Sequence, residues 1–448
     1  MARPVRESWE DQGLKVRFNT TDKAILGLAI PALGALAIDP LLTLADTAFV
    51  ARLGTTELAA LGVDTAILAF AFFGFNFLAA VVTPLVARAL GRGNTSEANR
   101  WVGDALLLAI GLGIVVSAVV LIAAPLFVDL MGATGDVVDP AISYLRIRAL
   151  ATPAVLIVTT GHGAFRGHKD TKTPLVVAAG VNGLNLVLDP IMIFALGWGL
   201  EGAATATVVA QYMGAVWFLW LIRNRGMASR PQAFRQALPS LLALGKNGVL
   251  LTMRTGLLLM AFTVAASAAT RIGPETIAAH QLVAQIFLLT ALLADSFAIA
   301  AQALVGETAG QGKAEPVHVL SKRLVMWGFV AGLLLAGFML VSRYPLSLLA
   351  SDEVVADLTI GAGGVAAAIE VPGAMVFVGD GIFLGLIALG AMVVSTGFGA
   401  AVAVGLMVFT PLGDSINGVW WALGAMMLVR GAVFLMTYRR SVVTAVKS

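Results

Sequence analysis

The chain contains no cysteine. Disulfides, thiolate catalysis and cysteine metal sites are therefore excluded. Charge is also scarce: 12% of the 448 residues are Asp, Glu, Lys or Arg, about half the share usual in a soluble domain. Phosphate-binding sequence is missing too. No Gly-x-x-x-x-Gly-Lys-Ser/Thr loop occurs, so nothing here predicts ATP hydrolysis. Neither a Ser-His-Asp arrangement nor His-Glu-x-x-His is present, which disfavours a membrane enzyme. The first twenty residues lack an apolar core of the signal-peptide kind, which predicts a start on the cytoplasmic side.

Long apolar runs are abundant. Hydrophobic residues make up 59% of the chain, and the mean hydropathy is +0.91. A helical membrane span needs roughly 20 apolar residues. Twelve such spans are predicted, at 24–49, 58–88, 101–131, 138–164, 171–196, 200–223, 240–272, 277–308, 319–349, 354–385, 386–410 and 416–439. The runs are too long for barrel strands of about ten alternating residues. The fold class expected is an all-α polytopic membrane protein.

Basic residues orient the spans. If the N-terminus is inside, Arg and Lys crowd the inner segments, as at Arg88, Arg92 and Arg100 or Arg223, Arg225 and Arg230. The outer loops hold only Arg52, Arg271 and Arg343. That asymmetry predicts an even number of spans in the plasma (inner) membrane with both termini cytoplasmic. The pI near 9.3 then reflects loop charge and anionic lipid, not a nucleic-acid partner.

The chain also repeats itself. Leu58-Ala59-Ala60 matches Ile277-Ala278-Ala279, and Gly91-Arg92-Gly93 matches Gly310-Gln311-Gly312 at the same offset. Pro153 pairs with Pro372, and one residue of slippage then pairs 161–167 with 379–385. The expected organisation is an N-terminal segment 1–23, a six-helix lobe 24–223, a linker 224–239, a second six-helix lobe 240–440 and a tail 441–448. Six is even, so the lobes share one orientation, as in transporters built from parallel repeats.

Carboxylates inside apolar spans are costly and mark ion or substrate paths. Asp46 stands in Leu44-Ala45-Asp46-Thr47-Ala48-Phe49. Asn185 and Asp189, four residues apart, share one helix face. Pro190 removes a backbone donor beside them, and Thr207 adds a hydroxyl. Oxygen ligands of this kind suit a small hard cation, or the acids hold a proton instead. Asp39 lies about two turns from Asp46. It is a second protonatable group or a partner for Arg254. Pro31 is a candidate hinge of the first helix. In the second half, Asp295 falls where the first half has Asn76, and Asp380 where it has His162. Asp295, Asp380, Gln281, Gln285, Gln302 and Arg254 are the candidate wall of a substrate cavity. An ion pair of Asp295 or Asp380 with Arg254 or Arg430 is the alternative. Glu370 and His162 are weaker candidates. Phe70, Phe72, Phe73, Phe75 and Phe77 are read mainly as packing.

Three features together resemble the multidrug and toxic compound extrusion (MATE) family. They are two six-helix halves, Pro31 followed by Leu44-Ala45-Asp46-Thr47-Ala48, and the run Phe165-Arg166-Gly167-His168-Lys169-Asp170-Thr171-Lys172-Thr173-Pro174. Asp39-Pro40-Leu41-Leu42 and the stretch 292–304 resemble its DinF-like branch. The resemblance implies a twelve-helix exporter of cationic or amphipathic small molecules, coupled to H+ or Na+ by alternating access. It implies no cofactor beyond the coupling ion, lipid as surroundings and a monomeric state. It places a cation site, possible for Na+, at Asp46, Asn185, Asp189 and Thr207. It also implies that bending at Pro31 accompanies cation binding, and that the cavity is acidic and aromatic. A lipid-linked-precursor flippase of the wider superfamily and an organic-anion carrier on the same fold are the alternatives. A membrane scaffold or embedded enzyme is the third class.

Overall fold

The computed structural model describes residues 19–73, 77–229, 234–350 and 352–447; the side chains of residues 39, 69–73 and 234–235 lie outside that description. Among the described residues the structure is helical, with no strand. Ten helices are long and apolar enough to cross a membrane, or eleven if one bent pair is a single span.

The first half runs α1 (Thr20–Val50), α2 (Thr55–Phe73), α3 (Phe77–Gly91), α4 (Thr95–Leu130), α5 (Val138–Ala149), α6 (Thr152–Gly167), α7 (Lys172–Pro190) and α8 (Gly199–Asn224). The second runs α9 (Phe234–Ile272), α10 (Pro274–Gly310), α11 (Ala314–Ser347), α12 (Glu353–Gly385), α13 (Leu389–Phe409) and α14 (Ile416–Lys447). Two predicted spans are divided. The second is α2 and α3, with residues 74–76 outside the described set. The fourth is α5 and α6, bent by 47°. Pro153 stands in the first turn of α6, where its missing N–H costs no helical bond.

Two predicted boundaries move. Helix α9 starts at Phe234, so the linker is shorter than 224–239. Helix α14 continues through Lys447, and Val442 and Ala445 are buried. The stretch read as a tail packs instead as the last turns of α14.

Large apolar side chains cover the outside. Leu348, Ile122 and Leu435 are 83%, 81% and 74% exposed, which only a lipid solvent makes favourable. Inside, one apolar core joins the two halves at the end carrying the basic connections; it runs from Ile25 and Val86 to Ala301, Val305 and Ile382. At the other end the core splits in two. Val50, Ala60, Val128, Leu145 and Leu200 pack within the first half. Ala265, Val283, Met407 and Trp420 pack within the second. The halves therefore meet at the basic end and part towards the other.

Glycine makes the meeting possible. A Cβ on Gly91 would strike the backbone carbonyl of Glu307, and one on Gly310 would strike that of Arg88. These are the same contact seen from each half, at the offset of the sequence repeat. In each half, likewise, two glycines one turn apart seat the neighbouring helix: Gly163 and Gly167 against α3, Gly381 and Gly385 against α10. Small residues let backbones approach closely in membrane bundles.

Polar latches reinforce the closed end. The Arg323 guanidinium donates to both Asp22 oxygens at 2.6 and 2.5 Å, and Trp327 Nε1 donates to Asp22 at 2.8 Å. Lys169 pairs with Glu307 at 2.8 Å. Arg88 donates to the Ala445 carbonyl across the halves. Asp22 also closes a capping box with Asn19 at the start of α1, so one carboxylate both starts the helix and ties it to α11.

Candidate functional site

Two polar sites stand apart in the bundle. In the first half, α1 carries Asp46, α2 Asp64, α5 Tyr144 and Arg148, and α7 Asn185 and Asp189. The carboxyls of Asp46 and Asp189 lie within hydrogen-bonding reach of each other. Asp189 and Asp64 are wholly buried and Asn185 nearly so. The Asn185 amide donates to Asp189 Oδ1 at 3.1 Å. Oδ1 of Asp46, Oδ2 of Asp189, Oδ1 of Asn185 and both oxygens of Asp64 are buried without a hydrogen-bond partner. Acceptors left in this condition cost several kcal/mol in a medium without water. A proton or a small cation between Asp46 and Asp189 would satisfy them.

The local chain geometry follows from Pro190. It cannot donate to the carbonyl one turn before it, and helix α7 passes into a π-turn over Ile191–Ala195. Such turns recur at functional sites because they free backbone groups. Thr207, on α8, donates its hydroxyl to the Ala203 carbonyl at 3.0 Å, which leaves its oxygen lone pairs available. Pro31 and Pro40 both lie inside an unbroken α1. The side chain of Asp39 is outside the described residues, as is Asn76.

The second site is a central cavity of about 500 Å³ between the halves, with walls from α1, α3, α6, α7, α8, α9, α10, α12 and α13. Asp295, Asp380, Gln302 and Arg254 line it, together with Arg166, His162, Asn182 and Gln211. Asp380 accepts from Arg254 and from the fully buried Arg430 through the same oxygen. Gly399 leaves the room that Arg430 needs, since a Cβ there would lie 2.8 Å from Arg430 Cγ. Arg166 reaches the His162 ring, which accepts at Nδ1 at 3.4 Å.

Several expectations are corrected here. Gln281 and Gln285 are exposed and do not belong to the cavity wall; helical spacing put them on a face with Gln302, but they lie several turns nearer the open end. The cavity is not acidic. Two aspartates and two arginines line it, with Arg430 behind them. The ion pair given as the alternative forms, with α9 and α14 bringing both Arg254 and Arg430 to Asp380. Phe77 is its single aromatic wall among the described side chains apart from His162, so it is not aromatic in the sense expected. Glu370 is buried elsewhere, accepting from Thr290 at 2.5 Å.

Asp64 and Arg148 were missed. The rule that singled out Asp46, an acid inside an apolar run, applies equally to Asp64. Arg148 lies within the predicted span 138–164, where a basic residue carries no comparable signal. The loop at 165–174 has a structural explanation. Asp170 accepts from the Thr173 N–H at 2.9 Å, its hydroxyl at 2.6 Å and Arg225 at 2.8 Å. Arg225 also lies 5.0 Å over the Phe165 ring. Burial alone would raise the Asp170 carboxyl, but these donors together hold it below the usual carboxylate range.

Apolar helices in two related halves, with buried acids in each and a central chamber between them, are the architecture of a membrane transporter. The family model for MatE matches residues 31–191 and 252–409. The chloroplastic Protein DETOXIFICATION 44 of Arabidopsis thaliana is 34% identical over 419 residues, covering 91% of this chain and 80% of that protein. DNA damage-inducible protein F of Escherichia coli is 28% identical, covering 94% and 93%. A solved structure described as MATE in the bent conformation superposes with a TM-score of 0.85 at 23% identity, over 96% of this chain and 97% of that one. The chain belongs to the MATE family of multidrug and toxic compound efflux transporters. Its members are transporters, not enzymes.

Proposed function

We propose that the chain is a secondary active exporter of amphipathic or cationic small molecules, driven by a proton or sodium gradient. It works as a monomer in the plasma membrane, with both termini and the basic end in the cytoplasm. The observation that carries this reading is the set of unpartnered oxygens on Asp46, Asn185 and Asp189. An empty pair of facing carboxylates is unfavourable, and a cation relieves it.

The acids do not line the central cavity, yet they share helices with it. Ala35 and Leu36 of α1 and Val177, Ala178, Val181 and Asn182 of α7 are in its wall. Asp46 and Asp189 sit further along the same two helices. Cation loading that moves α1 against α7 would therefore reshape the chamber. The halves join at the basic end and part at the other, which supports an outward-facing state held by the Asp22–Arg323 and Lys169–Glu307 latches. Differential cation affinity for the two states then drives alternating access. Gradient-driven efflux of ethidium from proteoliposomes tests this. Asp46→Asn should abolish it in a folded protein; efflux at the wild-type rate would refute the coupling.

One observation favours a second reading. Arg166 and Arg254 face the cavity, and Asp380 is already committed to two arginines. A carboxylate-bearing amphipath would find partners there. Counterflow with an aromatic carboxylate, compared with ethidium, separates the two. Loss of carboxylate exchange in Arg254→Gln, with ethidium unmoved, would establish the anion carrier.

A further inference from the structure

Arg148 has surroundings that the coupling reading does not use. It projects from α5, just before the bend into α6. The helices that carry Asp46, Asp64 and Asp189 converge with α5 in one core, through Val50, Leu61, Leu145 and Ala149, with Ile193 just beyond α7. Arg148 nevertheless forms no ion pair with any of these acids among the described residues, and its Nε and Nη1 are buried without a partner. Asp64 is wholly buried, with both oxygens unpartnered. A structural ion pair would close this gap, because a buried charge left unpaired is strongly unfavourable. Here three acids share the first half's interior with one permanent cation that forms an ion pair with none of them among the described residues.

We propose that Arg148 is a tethered counter-ion of the first half: its guanidinium moves beside Asp46 and Asp189 when the transported cation leaves, and withdraws to Asp64 when the cation returns. The proposal rests on the coupling reading above. It adds an internal competitor to the site and gives that competitor a place to go. The exchange moves a charge that arginine keeps at every accessible pH, and Asp64 receives it as a carboxylate. Of the charged or titratable groups, Asp46 on α1, Asp64 on α2, Tyr144 on α5 and Asp189 on α7 share the field of Arg148. The position beside the α5–α6 bend lets rotation of α5 carry the guanidinium between the two sides.

The two ends of the exchange predict opposite effects. Without Arg148 the cation meets no competitor, so Arg148→Gln should bind it more tightly. Without Asp64 the guanidinium stays beside Asp46 and Asp189, so Asp64→Asn should bind it more weakly. Each shift should be about tenfold, the size expected for one charge several ångströms away at intermediate dielectric. The double variant should behave like Arg148→Gln alone, because an absent guanidinium needs no refuge.

The test uses the purified full chain. Its thermal midpoint is titrated with sodium chloride against choline chloride, and with pH in choline chloride. The readout is the half-maximal concentration of the ion that shifts the wild type. Arg148→Lys, which keeps the charge, should stay near the wild-type value and controls for folding. Shifts of opposite sign with a non-additive double variant support the proposal. Shifts of the same sign, or a double variant equal to the sum, overturn it and leave a structural polar cluster. If Asp46→Asn keeps the wild-type cation response, the coupling reading itself fails. If Asp46→Asn loses that response while Arg148→Gln leaves it unchanged, only the counter-ion is wrong.

Discussion

Both halves bury carboxylates, but they treat them in opposite ways. In the second half Asp380 is held by Arg254 and Arg430. In the first, Asp46, Asp64 and Asp189 have buried oxygens that no group satisfies. An acid clamped between two guanidiniums has little reason to take up a further cation. An unclamped acid in apolar surroundings has every reason. The number of acids in a membrane bundle is therefore a poor guide to ion binding; what matters is which of them the fold has already neutralised.

This contrast can be broken most forcefully in the first half. Asp189→Asn should reduce gradient-driven efflux by at least about a hundredfold in vesicles, in line with the loss of a group that stabilises charge in a water-poor site. The folded yield should stay close to wild type, because no guanidinium is left behind in contact. Asp380→Asn should do the reverse. It orphans two arginines and should destabilise the protein by about 3–5 kcal/mol, read as a lower thermal midpoint and poor yield. Adding Arg254→Gln should recover part of that loss. If Asp380→Asn folds normally and loses only transport, the clamp has been misread.

Smaller effects sharpen the same comparison. Gly399→Ala should crowd Arg430 and cost about 1–3 kcal/mol, with no change in the cation response of the first half. Arg323→Ala removes the bidentate hold on Asp22 and should shift the population towards opening at the basic end. The chain has no cysteine of its own, so Ala80→Cys on the cavity wall reports this cleanly. A membrane-impermeant thiol reagent applied from the basic side should label it faster once the latch is gone. Unchanged labelling would mean the glycine contacts alone close that end.

The smallest expected effect is the pH dependence of the connecting loop. The folded Asp170 carboxyl is held below its usual range. Its contribution is therefore complete above the ordinary carboxyl value and is lost as pH falls through about 4 and below. Asp170→Asn should lower the stability at pH 7 by no more than about 1 kcal/mol, as befits a partly exposed pair. The gap between variant and wild type should close under acid conditions.

Much of the architecture was readable in single residues. Asp46, Asn185 and Asp189 are legible because carboxyl and amide side chains are rare in their spans, and the four-residue spacing puts two of them on one face. The glycines at 91 and 310 were visible as a repeat, but not as the paired contact that closes one end. Gln281 was misplaced because helical spacing gives a face and not a depth. Asp64 was overlooked, although it met the same criterion as Asp46. The arginines hid the most. Arg254 and Arg430 are legible as alternative partners of Asp295 or Asp380, but that both hold Asp380 is not.

The chain by itself determined how many times it crosses apolar surroundings, how the two halves repeat and which carboxylates sit within them. These are local or periodic properties, set by hydropathy and spacing along one strand of sequence. Only the tertiary structure decided which acids are neutralised, because an ion pair joins residues as distant as Asp380 and Arg254. It also decided which end of the molecule is closed, since that depends on where two helices come near enough for a glycine to be required.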